Sequence, residues 1–183
     1  MMLEILNKKR IYDGFLKLET AEIRLPNDEI INREYIKKRN AVAVVAFTDD
    51  NEIYLTKQPR VGRNALDAVE IPAGLIDENE TPVQAARREL LEETGCVAQK
   101  DLIPLGKYYA DPACSTGLVY LFLALGVEKK ADLSLDTDEF LESFKVSIGK
   151  ALEMIDNEII IDANSLICIE RALSYIDKYD SGM

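Results

Sequence analysis

The most constraining feature of the sequence is a helix over residues 82–94 whose two ends are both marked. Thr81 is a favourable N-cap, Pro82 suits the first helical position, and Gln84 completes a capping box. Gly95 supplies the left-handed residue that ends a helix, so the segment spans roughly three and a half turns. The position and length of this helix are therefore predicted with both caps in place.

One face of this helix is acidic. At ~100° per residue, Glu89, Glu92 and Glu93 fall within a fan of about 100°. Carboxylates at this spacing repel one another, and near the C-terminus of a helix they also oppose the helix dipole. Two interpretations fit such a face: a solvated acidic surface, or a site for divalent cations that offset the repulsion.

The opposite side of the same helix is apolar. Val83, Leu90 and Leu91 cluster there, which predicts that this side faces a core. Ala85 lies on the acidic face one turn before the glutamates, where its small side chain allows another chain segment or a substrate to approach.

The rest of the chain predicts strands before this helix, and strands followed by helices after it. Alternating or continuously apolar runs predict strands within residues 10–25, 30–37, 41–47, 52–57, 68–71, 105–110, 117–125 and 140–146. Apolar residues at helical spacing predict helices over residues 147–155 and 162–179. We expect an α/β (α+β) fold with a mixed β-sheet sandwiched between helices. Residues 1–38 are expected to form an N-terminal antiparallel β-hairpin extension, and residues 39–183 the main domain.

Composition narrows the chemistry and the partners. The chain contains no histidine, which excludes a histidine base or ligand, and a metal held by oxygen ligands favours Mg²⁺ or Mn²⁺. The formal charge of −11 disfavours nucleic acid as a partner. No apolar run is long enough for a membrane partner to be expected. Three cysteines without CxxC spacing predict a reducing compartment, by default the cytoplasm.

The acidic helix and its lead-in resemble the signature of a known family. The pattern is Gx5Ex7REUxEExGU, where U is a bulky aliphatic residue, and its fixed positions correspond to Gly74, Glu80 and the run Arg88-Glu89-Leu90-Leu91-Glu92-Glu93-Thr94-Gly95. Only Cys96, at the last aliphatic position, departs from it. The chain resembles the Nudix hydrolases over residues 10–175, and this resemblance implies the Nudix fold and hydrolysis of a nucleoside diphosphate linked to another moiety.

The resemblance assigns roles to the acidic face. Glu89, Glu92 and Glu93, with the backbone carbonyl of Ala73, would ligate Mg²⁺. Arg88 and Glu92 would also take part in catalysis, with Arg88 orienting the carboxylates as residues behind metal ligands do. The metals would neutralise the pyrophosphate and lower the pKa of an attacking water.

The residues that flank the motif resemble the ADP-ribose pyrophosphatase branch of the family. Residues 69–74, which include Glu70, are similar to its lead-in, and Arg33 and Arg60 stand in its R-E and Q-x-R signatures. Pro112 stands where a proline marks the ADP-sugar branch. The resemblance implies that these four residues contact the substrate.

A late loop supplies the general base in that branch, and Glu139 is the candidate here. The alternative is that Glu139 belongs to a solvated acidic loop with Asp136 and Asp138. The branch also implies a homodimer in which the N-terminal hairpin crosses between subunits.

The substrate expected from the resemblance is a nucleoside diphosphate sugar, first of all ADP-ribose, cleaved to AMP and ribose 5-phosphate. Two alternatives stay open: hydrolysis of another nucleotide sugar such as GDP-mannose, and a non-catalytic Nudix domain that binds ADP-ribose.

Overall fold

The computed structural model describes residues 3–135 and 140–180. The chain divides into two compact units, Met1–Asn40 with Tyr108–Leu118 and Ala41–Lys107 with Val119–Met183. Within the described residues, no helix is both long enough and apolar enough to cross a membrane.

The first unit contains a three-stranded antiparallel sheet. Its strands are β1 (Glu4–Asp13), β2 (Lys17–Arg24) and β3 (Ile30–Lys37), in the order β1-β2-β3. The predicted hairpin corresponds to β2 and β3, whereas β1 was not predicted as a separate strand. All ten residues of β1 are exposed. A strand without a buried face has no two-residue apolar alternation, which explains why the pattern missed it.

The second unit is built on a seven-stranded mixed sheet. Its strands are β4 (Ala41–Phe47), β5 (Glu52–Arg60), β6 (Ala65–Glu70), β7 (Ala73–Leu75), β9 (Ile103–Tyr109), β10 (Leu118–Leu125) and β12 (Glu142–Ser147). The order is β12-β5-β4-β10-β9, with β6 paired to β5 and β7 paired to β4. Strand β10 runs parallel to β4, while β5, β6, β7 and β12 pair antiparallel.

Two further strands, β8 (Cys96–Ala98) and β11 (Val127–Lys129), form a separate antiparallel pair. The sequence did not predict β7, β8 or β11, because three residues are too few to show a period.

Strand β4 is the centre of the second unit because every residue from Val42 to Phe47 is buried. Helix α1 (Pro82–Thr94) packs on the face that Val42 and Val44 share. Helix α3 (Ala163–Asp180) also contacts β4, but none of its described residues belongs to the buried cluster between α1 and the sheet. On α3, the Cys168 Sγ lies 3.5 Å from the Phe122 carbonyl oxygen. The predicted arrangement of a mixed sheet between helices is confirmed, with a shorter helix α2 (Ile148–Asp156) after β12.

Both predicted caps of α1 are confirmed. The Gln84 backbone N–H donates to Thr81 Oγ1 at 3.3 Å, and Gln84 Oε1 accepts from the Thr81 backbone N–H at 2.9 Å. Gly95 adopts φ +70°, and its N–H donates to the Leu91 carbonyl at 2.8 Å. Local sequence therefore determines both ends of the helix.

The predicted core side of α1 is only partly right. Leu90 is fully buried, but Val83 and Leu91 are 43% and 36% exposed. Ala85 and Ala86 are fully buried instead and belong to the cluster around β4. The small side chains of Ala85 and Ala86 allow the helix to approach the sheet closely. The larger Val83 and Leu91 therefore lie at the partly exposed edge of this contact.

The end of α1 provides a test of the backbone argument. Alanine at Gly95 would place a Cβ 2.1 Å from the Ala131 carbonyl oxygen at a positive φ. We expect Gly95→Ala to lower the free energy of unfolding by about 1–3 kcal/mol in urea denaturation.

Gly149→Ala is the matched control, because a Cβ at this position in α2 meets nothing within 4 Å. It should leave stability unchanged or raise it by up to about 1 kcal/mol. Equal stability of the Gly95 variant and the wild-type chain would contradict the account of this helix end.

Candidate active site

The backbone of the candidate site runs from β6 through β7 into α1. Strand β7 pairs antiparallel with the buried strand β4, with Ala73 opposite Ala43. The Val44 N–H donates to the Pro72 carbonyl at 2.9 Å, which fixes the step between β6 and β7. Ala73 and Gly74 are thereby held on the sheet beside the acidic face of α1, as the contacts below show.

The side chain of Arg88 connects most of the acidic residues. Its Nε and Nη2 bind the two carboxylate oxygens of Glu80 at 3.0 and 2.9 Å. Its Nη1 donates to Glu89 at 2.7 Å and to Glu92 at 2.9 Å, and Nη2 also donates to the Leu75 carbonyl at 2.9 Å. A guanidinium has five N–H donors, so these five hydrogen bonds use all of them.

The electrostatics of this cluster follow from the same contacts. The hydrogen bond from Arg88 lowers the pKa of Glu80, although partial burial acts in the opposite direction. The hydrogen bond to Glu80, against the effect of burial and with further help from Glu89 and Glu92, raises the pKa of Arg88. These shifts keep Glu80 and Arg88 charged near neutral pH, with the guanidinium placed among the carboxylates of Glu80, Glu89 and Glu92.

Gly74 is needed because of the position of Glu89. A Cβ on Gly74 would lie 2.0 Å from both the carboxyl carbon and Oε1 of Glu89. The Glu89 carboxylate therefore occupies the space that any larger residue at 74 would fill. This contact explains in physical terms why the predicted motif begins with a glycine.

Glu93 is the most enclosed carboxylate of the acidic face. It is 7% exposed, and its Oε2 accepts a hydrogen bond from the Ala73 backbone N–H at 2.9 Å. The structure thus brings together two residues that were predicted as metal ligands from segments twenty positions apart.

The donors at this site are of the kind that a hard divalent cation prefers. Glu89 and Glu92 both direct an oxygen at Arg88 Nη1, so their carboxylates already converge on one positive charge. The notch at Gly74 that holds Glu89 has no room for a side chain. Within residues 3–135 and 140–180, however, no three Asp, Glu, His or Cys side chains are gathered tightly enough to form a ready metal site. The residue types and the convergence fit Mg²⁺ or Mn²⁺, while Arg88 offsets the repulsion between the two carboxylates.

Arg60 forms a second charged contact with Glu70. Arg60 Nε lies 3.1 and 3.0 Å from the two Glu70 oxygens, and Nη2 lies 2.6 Å from one of them. Burial opposes the charge, but Glu70, and at longer range Glu93 and Asp162, raise the pKa of Arg60. Arg60 Nη1 makes no hydrogen bond to the described residues, so one edge of the guanidinium is available for an anion.

Two residues near this pair were not predicted as part of the site. Ser165 Oγ accepts from the Ile71 N–H at 3.0 Å, and Asp162 Oδ1 accepts from the Ser165 N–H at 2.9 Å. Asp162 Oδ2 is buried with no hydrogen-bond partner in the described part of the chain, and burial raises the pKa of this carboxyl group. The pattern Asp-x-x-Ser before an apolar helix signals the N-cap, but not the long-range contact with Ile71.

Three of the predicted site residues belong to the first unit or fall outside the described residues. Arg33 lies on β3 opposite Ala21, and Pro112 follows Asp111 in a turn; both belong to the first unit. Glu139 falls in the segment 136–139, outside the described residues. The roles assigned to these three residues stay predictions.

Comparison with known proteins identifies the family of the chain. The model of the NUDIX domain matches residues 37–161. The ADP-ribose pyrophosphatase of Bacillus subtilis (strain 168) is 37% identical over 167 residues, which cover 89% of this chain and 88% of that protein. The methanol dehydrogenase activator of Bacillus methanolicus is 33% identical over 166 residues, 88% of each chain.

A solved structure described as an ADP compounds hydrolase superposes with a TM-score of 0.85 at 21% identity, covering 98% of this chain and 96% of that one. At this identity the likeness concerns the fold, and it confirms the Nudix fold predicted from the sequence. The family match over residues 37–161 and the glutamate cluster on α1 lead to one conclusion. The chain belongs to the Nudix family and is a Nudix hydrolase.

Proposed function

We propose that this enzyme hydrolyses the pyrophosphate of ADP-ribose, releasing AMP and ribose 5-phosphate, with Mg²⁺ as its metal. The observation that carries the proposal is that Glu89 and Glu92 both bind Arg88 Nη1, with Glu89 seated against Gly74. The relative of Bacillus subtilis that is 37% identical along nearly the whole chain carries the name ADP-ribose pyrophosphatase, which favours this substrate.

Nudix hydrolases generally use divalent metal ions. Here Glu89, Glu92, Glu93 and the Ala73 carbonyl would hold the metal, which would supply charge neutralisation for the pyrophosphate and an activated water. Glu93 is suited to hold a fixed position because the Ala73 N–H binds its second oxygen. Arg88 would keep Glu89 and Glu92 pointing to the same place during turnover.

Arg60 is proposed to bind the substrate phosphates. Glu70 holds the guanidinium by two of its nitrogens, which orients the planar group and leaves Nη1 at its open edge. An oriented guanidinium binds a phosphate with less loss of side-chain entropy than a free one. Arg33 and Pro112 are further proposed substrate contacts, and Glu139 is the proposed general base, all on the strength of the family resemblance.

The proposed reaction predicts the outcome of a substrate panel. The chain with Mg²⁺ should convert ADP-ribose to AMP and ribose 5-phosphate, and EDTA should abolish the reaction because the carboxylates alone cannot activate water. Products are identified by chromatography for ADP-ribose, GDP-mannose and other nucleotide sugars. Turnover of GDP-mannose but not ADP-ribose would overturn the substrate, and tight ADP-ribose binding without any turnover would overturn the activity.

The metal assignment predicts the effect of a single charge. Glu93→Gln should lower kcat by about a hundredfold or more, because a neutral amide is a poor Mg²⁺ ligand. The glutamine oxygen still accepts from the Ala73 N–H, so the fold should persist, as circular dichroism would verify.

Glu78→Gln makes the same chemical change at an exposed position before α1 and should keep full activity. Activity of the Glu93 variant equal to that of this control would refute the assignment.

The notch at Gly74 predicts a separation of stability from activity. In Gly74→Ala the new Cβ would displace the Glu89 carboxylate, which is the flexible end of a side chain and can move without unfolding the protein. We expect activity to fall by at least about tenfold and the apparent affinity for Mn²⁺ to weaken, with unfolding free energy within about 1 kcal/mol of the wild type.

Gly62→Ala is the control, since a Cβ there meets nothing within 4 Å. It should change neither the activity nor the apparent affinity for Mn²⁺. Wild-type metal affinity in the Gly74 variant would show that Glu89 is not held by this notch.

We also propose that residues 1–38 form a dimerisation extension of a catalytic domain at residues 39–183, in a cytoplasmic homodimer. Strand β1 is a sheet edge with all ten residues exposed, among them Ile5 and Ile11. An exposed edge strand with apolar side chains is a surface that pairs with another chain.

Sedimentation velocity of the full chain should give twice the 20.6 kDa of one chain. Ile5→Lys with Ile11→Lys should shift the chain toward monomer, because lysines on an edge strand oppose pairing. Sedimentation of the wild-type chain as a monomer at about 50 μM, far above the Kd of a stable dimer, would contradict the proposal.

A further inference from the structure

The sheet of the first unit has a basic concavity that the proposed hydrolysis does not use. Its volume is about 420 Å³, and it is lined by Lys8, Lys9, Arg10, Glu19, Tyr35, Lys37 and Thr116. A volume of this size is within the range of sites for small molecules, roughly 300–1,000 Å³. We name this concavity the basic pocket.

Strand register explains why the charges of the basic pocket gather on one face. Arg10 lies opposite Glu19, and Glu19 lies opposite Tyr35, so these three side chains form a row across β1, β2 and β3. Lys8 and Lys37 each stand two positions from a member of that row and therefore share its face. The grouping is a property of the sheet rather than of flexible side chains that happen to meet.

The single carboxylate of the basic pocket already has hydrogen-bond partners within the pocket. Glu19 is 9% exposed, and it accepts from Tyr35 Oη at 2.6 Å and from Arg10 Nη2 at 2.9 Å. These hydrogen bonds, first that of Tyr35, lower the pKa of Glu19, and the same contact raises the pKa of Tyr35 to about 12. Glu19 therefore stays charged with its oxygens bound by Tyr35 and Arg10, and Tyr35 stays a neutral hydrogen-bond donor.

The lysines that line the basic pocket have no such partner. Lys8, Lys9 and Lys37 make no ion pair within 4 Å of any carboxylate in the described ranges, although the charge of Lys37 helps to lower the pKa of Glu19. On the face of this row, three cations (Lys8, Arg10 and Lys37) against one carboxylate leave a net charge of +2, while Lys9 borders the concavity from a position that alternates to the other face of β1. Like charges held near one another on a sheet face favour the binding of a shared counter-ion.

The charge of the whole chain makes this concentration of cations unusual. The first unit has nine Lys and Arg against eight Asp and Glu, whereas the second has thirteen against twenty-five. The net charge of −11 already favours solubility, so solubility does not explain a cluster of cations on this surface.

From these observations we propose that the basic pocket is a binding site for a small phosphorylated anion, distinct from the glutamate cluster on α1. A phosphoryl group suits a concave site with several ammonium donors, because each donor can bind a different oxygen, whereas the Arg10 guanidinium is already bound by Glu19 and Asp13. An acidic peptide is a different occupant, and a concavity of about 420 Å³ favours the compact anion.

The test uses the full chain in EDTA with inorganic pyrophosphate as the probe, followed by calorimetry at low salt. We expect saturable binding with Kd of about 1 mM or tighter, weakened by high salt. Lys8→Gln with Lys37→Gln should weaken binding at least about tenfold, since both lysine charges on the face of the row are lost. Both residues are exposed, so the variant should fold as the wild type does by circular dichroism.

Lys100→Gln with Lys129→Gln is the matched control, because it removes the same charge from exposed positions in the second unit. Its Kd should stay within about twofold of the wild type. No saturable binding, or equal weakening in both double variants, would overturn the proposal.

Two further arms define the ligand. Orthophosphate binding at least as tight as pyrophosphate binding would support a site for one phosphoryl group, and weaker binding would support a site for a diphosphate. An oligoglutamate peptide that binds more tightly than either anion would overturn the assignment to a small anion. This test does not involve hydrolysis, so it succeeds or fails separately from the proposed function.

Discussion

The candidate active site depends on the hydrogen bonds that the Arg88 guanidinium donates. This group donates five hydrogen bonds, to Glu80, Glu89, Glu92 and the Leu75 carbonyl, and thereby holds three carboxylates of like charge on and beside one helix. Without a cation at that point the carboxylates would repel one another at the end of the helix where the dipole is also unfavourable. A lysine would supply three donors from one atom and could not span this set of oxygens.

The same contact fixes the loop before α1. Glu80 binds Arg88 through both oxygens, while one of them also accepts from the Asp77 N–H at 3.1 Å. The Leu75 carbonyl at the end of β7 is bound by the same side chain at 2.9 Å. The strand, the loop and the helix are thus joined at one residue, which keeps Gly74 against Glu89. Precise placement of metal ligands requires support of this kind from the residues behind them.

The sequence predicts structural features that neighbouring residues determine, and it does not predict contacts between distant segments. The caps of α1 and the buried strand β4 were predicted correctly because each is determined by neighbouring residues. Leu91 was placed in the core wrongly, since helical spacing does not show how closely a sheet approaches. The contact between Ser165 and Ile71 spans ninety-four positions, and no short pattern predicts it. The family resemblance assigned Glu93 and the Ala73 carbonyl to one metal site, but it did not predict the hydrogen bond from the Ala73 N–H to Glu93.

The charge distribution explains why the enzyme needs cations inside its site. The second unit has thirteen Lys and Arg against twenty-five Asp and Glu, so its overall field repels an anionic pyrophosphate. That field is weak at distances beyond a Debye length of about 8 Å at physiological salt, and contacts within the site outweigh it. Arg60, held by the buried Glu70, is proposed to make such a contact, and a divalent metal on the α1 carboxylates would add two further charges. The acidic surface thus disfavours non-specific polyanions, while a small substrate that reaches these local cations is still bound.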